Sequence, residues 1–175
     1  LPCTGRQLEL NATIVLPDCT SNSAAKLVIL ASSDGRESTT IELNCSVLTL
    51  DRRNSSLTPD ATDSGEVNNW FPQNRTLLFA PLQEAEVRAD APISLRAYVD
   101  GSVIEIFVNE RVALTGLVFP VLEDSVHLRV GGDIATLSVW RLESTSPVVA
   151  RPTPDHLKSD DEDDALFGHV RGGSL

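Results

Sequence analysis

Asp100 opens the turn sequence Asp100-Gly101-Ser102, and Glu105 follows it in the next apolar run. One short segment therefore carries the two carboxylates that acid–base hydrolysis requires. A turn Asp and an outward strand Glu near Arg96 also have an ordinary structural use, and both are assigned to it. No Ser nucleophile elbow, Gly-rich phosphate cradle or helical metal motif is present, so no catalytic residue and no cofactor is read from the chain. The histidines His127, His156 and His169 lie far from the cysteines, with no CxxC and no ligand spacing, which argues against a metal site. The cysteines themselves, Cys3, Cys19 and Cys45, suit an oxidising compartment in which two of them pair. Their spacing leaves all three pairings open, and the third thiol is either buried or bonded to a segment outside this chain.

Four triplets have the form of N-glycan acceptors, at Asn11, Asn44, Asn54 and Asn74. That modification is made only along the secretory route, and four is more than the roughly one or two that chance supplies from this Ser and Thr content. Asn44 is a poor acceptor, because Cys45 occupies the middle position. Trp70 and Phe71 stand inside a long polar segment between Arg52 and Asn74. An aromatic pair there either stacks on a sugar ring or pins the loop to the core, and the two are the candidate carbohydrate-binding residues.

The elements that must carry these groups are strands. Apolar side chains occupy every second position from Leu8 to Leu16, the period of a strand with one buried face. Short runs at Lys26 to Ala31, Thr40 to Leu43 and Val47 to Leu50 are separated by turn residues, and further strands are predicted at Arg111 to Phe119, Ser125 to Val130 and Ala135 to Leu142. LRAYV and VIEIFV on either side of Asp100-Gly101-Ser102 predict a hairpin. A two-residue loop of Asp100 and Gly101 places Ala97 opposite Ile104 and Arg96 opposite Glu105, whereas a four-residue loop pairs Tyr98 with Glu105. No segment reads as a helix. The expected fold is all-β, a two-sheet antiparallel sandwich of jelly-roll or lectin-like type over residues 1–144. Residues 145–175 are Pro-rich and acidic, and read as a disordered linker or tail.

The formal net charge is -11, and part of it sits in the run Asp160, Asp161, Glu162, Asp163 and Asp164. With no basic stripe to displace counterions, nucleic acid is excluded as a partner. No apolar run reaches the length of a membrane span, so no membrane partner is expected, and the first residues lack the order of a signal peptide. A chain beginning at Leu1 reads as a piece or processed product whose targeting information lay upstream.

The stretch LRAYVDGSVIEIFVNERVALTGLVFP resembles a segment of glycoside hydrolase family 32 enzymes, the invertases, inulinases, levanases and fructan exohydrolases. In that family the segment reads like V-D-x-S-x-x-E-x-F, and Val99, Asp100, Ser102, Glu105 and Phe107 stand at the matching positions. LTLDRRNSSL resembles the family's short strand followed by Asp-Arg-Ser, and LSVWRL resembles its closing strand. Gly101 replaces the usual Arg, and Asn54 interrupts the Asp-Arg-Ser pattern. The resemblance, from about Leu8 to Leu142, implies the sandwich that lies behind an N-terminal five-bladed propeller. In the family that propeller hydrolyses β-fructosides through an Asp nucleophile and a Glu acid/base, held in motifs similar to N-D-P-N-G, R-D-P and E-C. This chain contains no Asp-Pro, no Arg-Asp and no Glu-Cys, so the propeller is absent from it and no catalytic residue carries over. The expectation is a non-catalytic module of a secreted enzyme, extracellular, in the cell wall or vacuolar, that packs on and stabilises a propeller. The alternatives are a lectin-like module that binds fructose-containing oligosaccharides through Trp70 and Phe71, or a stand-alone secreted interaction domain.

Overall fold

The computed structural model describes residues 4–19, 23–58, 77–83, 87–89 and 91–142, all within the unit Leu1–Glu143. Cys3, Trp70, Phe71, Asn74 and the stretch 145–175 lie outside the described residues. Ten strands follow one another: Gln7–Val15 (β1), Ala25–Ala31 (β2), Thr39–Leu43 (β3), Val47–Asp51 (β4), Leu77–Pro81 (β5), Pro92–Asp100 (β6), Val103–Val108 (β7), Val112–Leu117 (β8), His127–Gly132 (β9) and Ile134–Arg141 (β10). They form two antiparallel five-stranded sheets. The first has the order β10-β1-β6-β7-β8 and the second β5-β4-β3-β2-β9.

Alternation explains the layering. In β1, Leu8, Leu10, Ala12 and Ile14 are fully buried, while Glu9, Asn11 and Thr13 between them point outward. The same period runs through β6, where Ile93, Leu95, Ala97 and Val99 face inward, and through β7 with Ile104, Ile106 and Val108. Among the described residues the core is aliphatic: its residues are Leu, Ile, Val and Ala, each large one contributing roughly 1.5–3 kcal/mol by leaving water. None of the described aromatics, Phe79, Tyr98, Phe107, Phe119 and Trp140, belongs to it. The chain passes from β9 in the second sheet to β10 in the first across the single residue Asp133. Gly132 makes that corner with φ +75°, where a Cβ would collide with the Ala24 carbonyl oxygen.

The hairpin at Asp100 closes one residue later than the sequence suggests. Asp100 pairs with Val103, so the loop is Gly101-Ser102; Arg96 faces Phe107, Ala97 faces Ile106 and Glu105 faces Tyr98. The pairings Ala97–Ile104 and Arg96–Glu105 are therefore not formed. Gly101, at φ +59°, occupies the first central position of the turn, as a type II′ hairpin requires, rather than the second. Because the partners shift by two residues, each side chain keeps its face, and only the neighbours change. A second difference is β5, a strand that the sequence pattern does not predict. LLFAP alternates only between exposed and half-exposed positions, because it is an edge strand paired on one side to β4.

Candidate functional site

The outer face of the first sheet gathers aromatic and polar side chains in two rows. Cross-strand pairing aligns Trp140, Glu9, Tyr98, Glu105 and Thr115 in one row, and Ser138, Asn11, Arg96, Phe107 and Ala113 in the next. A groove of about 430 Å³ opens among Asn11, Ser94, Arg96, Tyr98, Phe107 and Glu110. Its floor is an edge-to-face pair, Tyr98 against Phe107, with ring centroids 6.3 Å apart and planes at 78°. The Arg96 guanidinium lies 5.9 Å from the Tyr98 ring centre and also pairs with Glu9 at 3.2 Å. Trp140, 49% exposed, flanks the rows on the edge strand β10.

One wall of the groove comes from the turn between β7 and β8. Arg111 N–H donates to the Val108 carbonyl at 3.0 Å, and both central residues, Asn109 and Glu110, have positive φ (50° and 57°). That is a type I′ turn with Glu where Gly is preferred, a placement that costs about 1 kcal/mol. Asn109 is anchored, since its Oδ1 accepts from Ser94 N–H at 2.8 Å and its own N–H donates to the Ser94 carbonyl at 2.9 Å. The strained Glu110 is thereby held beside the aromatic floor. Flat rings bordered by a guanidinium, carboxylates and a carboxamide suit a ligand with apolar faces and polar edges.

A second polar cluster lies on the loop between β2 and β3. Glu37 is fully buried, and its carboxylate accepts four hydrogen bonds: from Leu57 N–H (2.8 Å), Val121 N–H (3.0 Å), Leu122 N–H (3.0 Å) and Ser125 Oγ–H (2.6 Å). Burial acts to raise the Glu37 pKa, but the Ser125 hydroxyl and the three backbone donors together outweigh it and hold the group below its ordinary value. Its oxygens are committed to those donors, so the geometry is that of a clasp between three loops and not of an acid or base. The same loop carries Asp34, whose pKa falls to about 2 through the Arg36 N–H and the Ser32 hydroxyl. Sequence reasoning did not identify Glu37; its partners lie 20 to 88 positions away, and the only local sign is a lone acidic residue between turn and strand.

The residues singled out from sequence fall as follows. Asp100 sits at the β6–β7 turn, its Oδ1 accepting from Gln7 Nε2 at 3.0 Å, and Glu105 is exposed on the outer face between Tyr98 and Thr115. Cys19 is bonded to Cys45. Asn11 lines the groove; Asn44 turns β3 into β4, its Oδ1 accepting from the Ser46 and Val47 N–H groups at 2.8 and 2.9 Å; Asn54 is exposed in the loop after β4. Among the described residues no three His, Cys, Asp or Glu side chains gather as metal ligands, and no helix is long and apolar enough to cross a membrane.

Comparison with known proteins adds an identity to this geometry. The exo-inulinase of Aspergillus awamori is similar in structure, with a TM-score of 0.62 at 21% identity over 82% of this chain and 26% of its own. A β-fructofuranosidase of Aspergillus kawachii gives 0.57 at 21% identity, covering 79% of this chain and 23% of its own. Sheep galectin-11 shares the sandwich at a TM-score of 0.50 and 10% identity, over 78% of this chain and 91% of its own. The chain thus spans about a quarter of the fungal enzymes it resembles, and no curated protein matches it in sequence. The family model of the C-terminal part of the family 32 glycosyl hydrolases matches residues 2–141, and the chain belongs to that family.

Proposed function

We propose that this chain is the non-catalytic C-terminal sandwich of a secreted β-fructofuranosidase-type enzyme, and that it seats on and stabilises a catalytic propeller. The observation that carries this reading is the family match over 2–141 in a chain that spans about a quarter of an exo-inulinase. Its sequence also lacks the Asp-Pro, Arg-Asp and Glu-Cys pairs of the motifs that resemblance assigns to the reacting carboxylates. Residues 145–175 then serve as a linker or tail beyond the module.

The seat is the margin of the second sheet. Leu77 and Phe79 share the outward face of β5, 42% and 68% exposed, at the edge of a sheet whose outer face also carries Thr49, Asp51 and the Lys26–Glu42 pair at 3.1 Å. An exposed apolar edge of this kind is normally covered, and the missing three quarters of the enzyme are the occupant that the family relationship supplies. The test mixes the purified chain with a family 32 propeller that lacks its own sandwich and follows association by sedimentation, with released fructose measured on each component. Expected are a one-to-one complex, weakened at least tenfold by Phe79→Glu, and no fructose from the chain alone. Release by the chain itself, or association indifferent to Phe79, contradicts the reading.

A further inference from the structure

We propose that the groove on the outer face of the first sheet is the seat of an N-linked glycan carried by Asn11, whose first N-acetylhexosamine ring rests on Tyr98 and Phe107. The proposal rests on the reading that the chain passes through the secretory route. Asn11-Ala12-Thr13 is an acceptor triplet, and Asn11 lies in the groove wall with its side chain between those of Ser138 and Arg96. Among the described residues the Asn11 carboxamide makes no hydrogen bond, while Arg96 opposite it on β6 is engaged with Glu9. Thr13, the third residue of the triplet, points to the same face two positions along β1.

The surroundings suit a pyranose. Tyr98, Phe107 and Trp140 lie on this one face, and no aromatic ring among the described residues belongs to the core, so core packing does not explain their placement. A ring lying on Tyr98 and Phe107 presents its hydroxyls and acetamido group to Arg96, Ser94 and Glu110. The volume, about 430 Å³, falls within the range of roughly 300–1,000 Å³ typical of small-molecule sites. A tethered sugar also faces a high effective concentration, so a shallow groove suffices where a free sugar needs a deeper one.

Attachment forms a bond between Asn11 Nδ2 and the anomeric carbon of the first sugar. The bond broken joins that carbon to the pyrophosphate of a lipid-linked oligosaccharide donor; the lipid pyrophosphate leaves and the amide proton passes to solvent. Because β1 is paired on both sides, to β10 and β6, addition must precede closure of the sheet. A glycan here covers the outer face of the first sheet and leaves the β5 margin for the propeller.

The experiment expresses the whole chain in a eukaryotic secretory host, trims glycans to a single sugar and records the mass of the Asn11 peptide and the proton spectrum of the sugar. Expected is a modified Asn11 whose N-acetyl methyl resonance lies upfield of its position in the free glycopeptide, with that shift lost in Tyr98→Leu/Phe107→Leu, which keeps apolar bulk. An unmodified Asn11 in protein modified at Asn44, Asn54 or Asn74 overturns this inference and leaves secretion standing. No modification at any triplet overturns both. A methyl resonance at the free position overturns the seating, and specific binding of free chitobiose to Thr13→Ala, which loses the triplet but keeps Asn11, assigns the groove to a free sugar instead.

Discussion

The two ends of the second sheet are tied by different chemistry. At one end, next to the Leu43–Ala25 pair of β3 and β2, the Cys19–Cys45 bond joins the loop after β1 to the turn before β4. At the other end, beyond the Ile29–Thr39 pair, Glu37 gathers three loops through four hydrogen bonds to one buried carboxylate. The covalent tie acts mainly by restricting the unfolded chain and answers to reductant. The polar clasp acts in the folded state and answers to acid. Loops at both ends of the sheet are thus tied to their neighbours by independent interactions.

The largest effect is expected at the clasp. Glu37→Gln turns an amide NH2 toward donors that need an acceptor, and should lower stability by about 4 kcal/mol in urea denaturation. Next comes Cys45→Ser, which opens a loop of sequence separation 26 and should cost on the order of 3 kcal/mol under oxidising conditions. After reduction the variant and the wild type should have equal stability; an equal gap in both conditions would mean that Cys45 acts by packing and not by its bond.

The contrast between the ends sharpens with pH. The folded Glu37 pKa is depressed, so its stabilisation is present above the unfolded value of 4.5 and is lost as pH falls through the folded value. Asp34, at about 2, extends the loss to lower pH at the same end. Wild type should therefore lose stability as pH falls below the unfolded Glu37 value of 4.5 and through the depressed folded value, while Glu37→Gln changes less, so that the two converge in acid. Parallel curves would remove the clasp from the account. The smallest effect is expected away from both ends, at Glu110→Gly, where relief of a positive φ should raise stability by about 1 kcal/mol in thermal denaturation.

Much of the framework was legible because one-sided burial writes itself into the sequence with period two. β1, β6 and β7 show it from Leu8 to Ile14 and from Ile93 to Val108. β5 was not legible, since LLFAP at an edge buries neither face and loses the alternation. The hairpin register was missed by two residues because Gly101 serves either central position of a primed turn, and only the backbone shows that it takes the first. The site was legible in pieces: alternation turns Arg96, Tyr98 and Phe107 outward, and the triplet marks Asn11. Their meeting depends on β1 entering between β10 and β6, a long-range pairing with no local signature. Glu37 was illegible for the same reason, its donors being scattered from Leu57 to Ser125.

The proposal that this chain stabilises a catalytic domain is tested most directly by the half-life of that domain's activity at elevated temperature. A family 32 propeller without its sandwich should lose fructose-releasing activity severalfold more slowly when this chain is added, and the protection should disappear with Phe79→Glu. An unchanged half-life at saturating chain, with sedimentation showing the two proteins bound, would contradict the stabilising role.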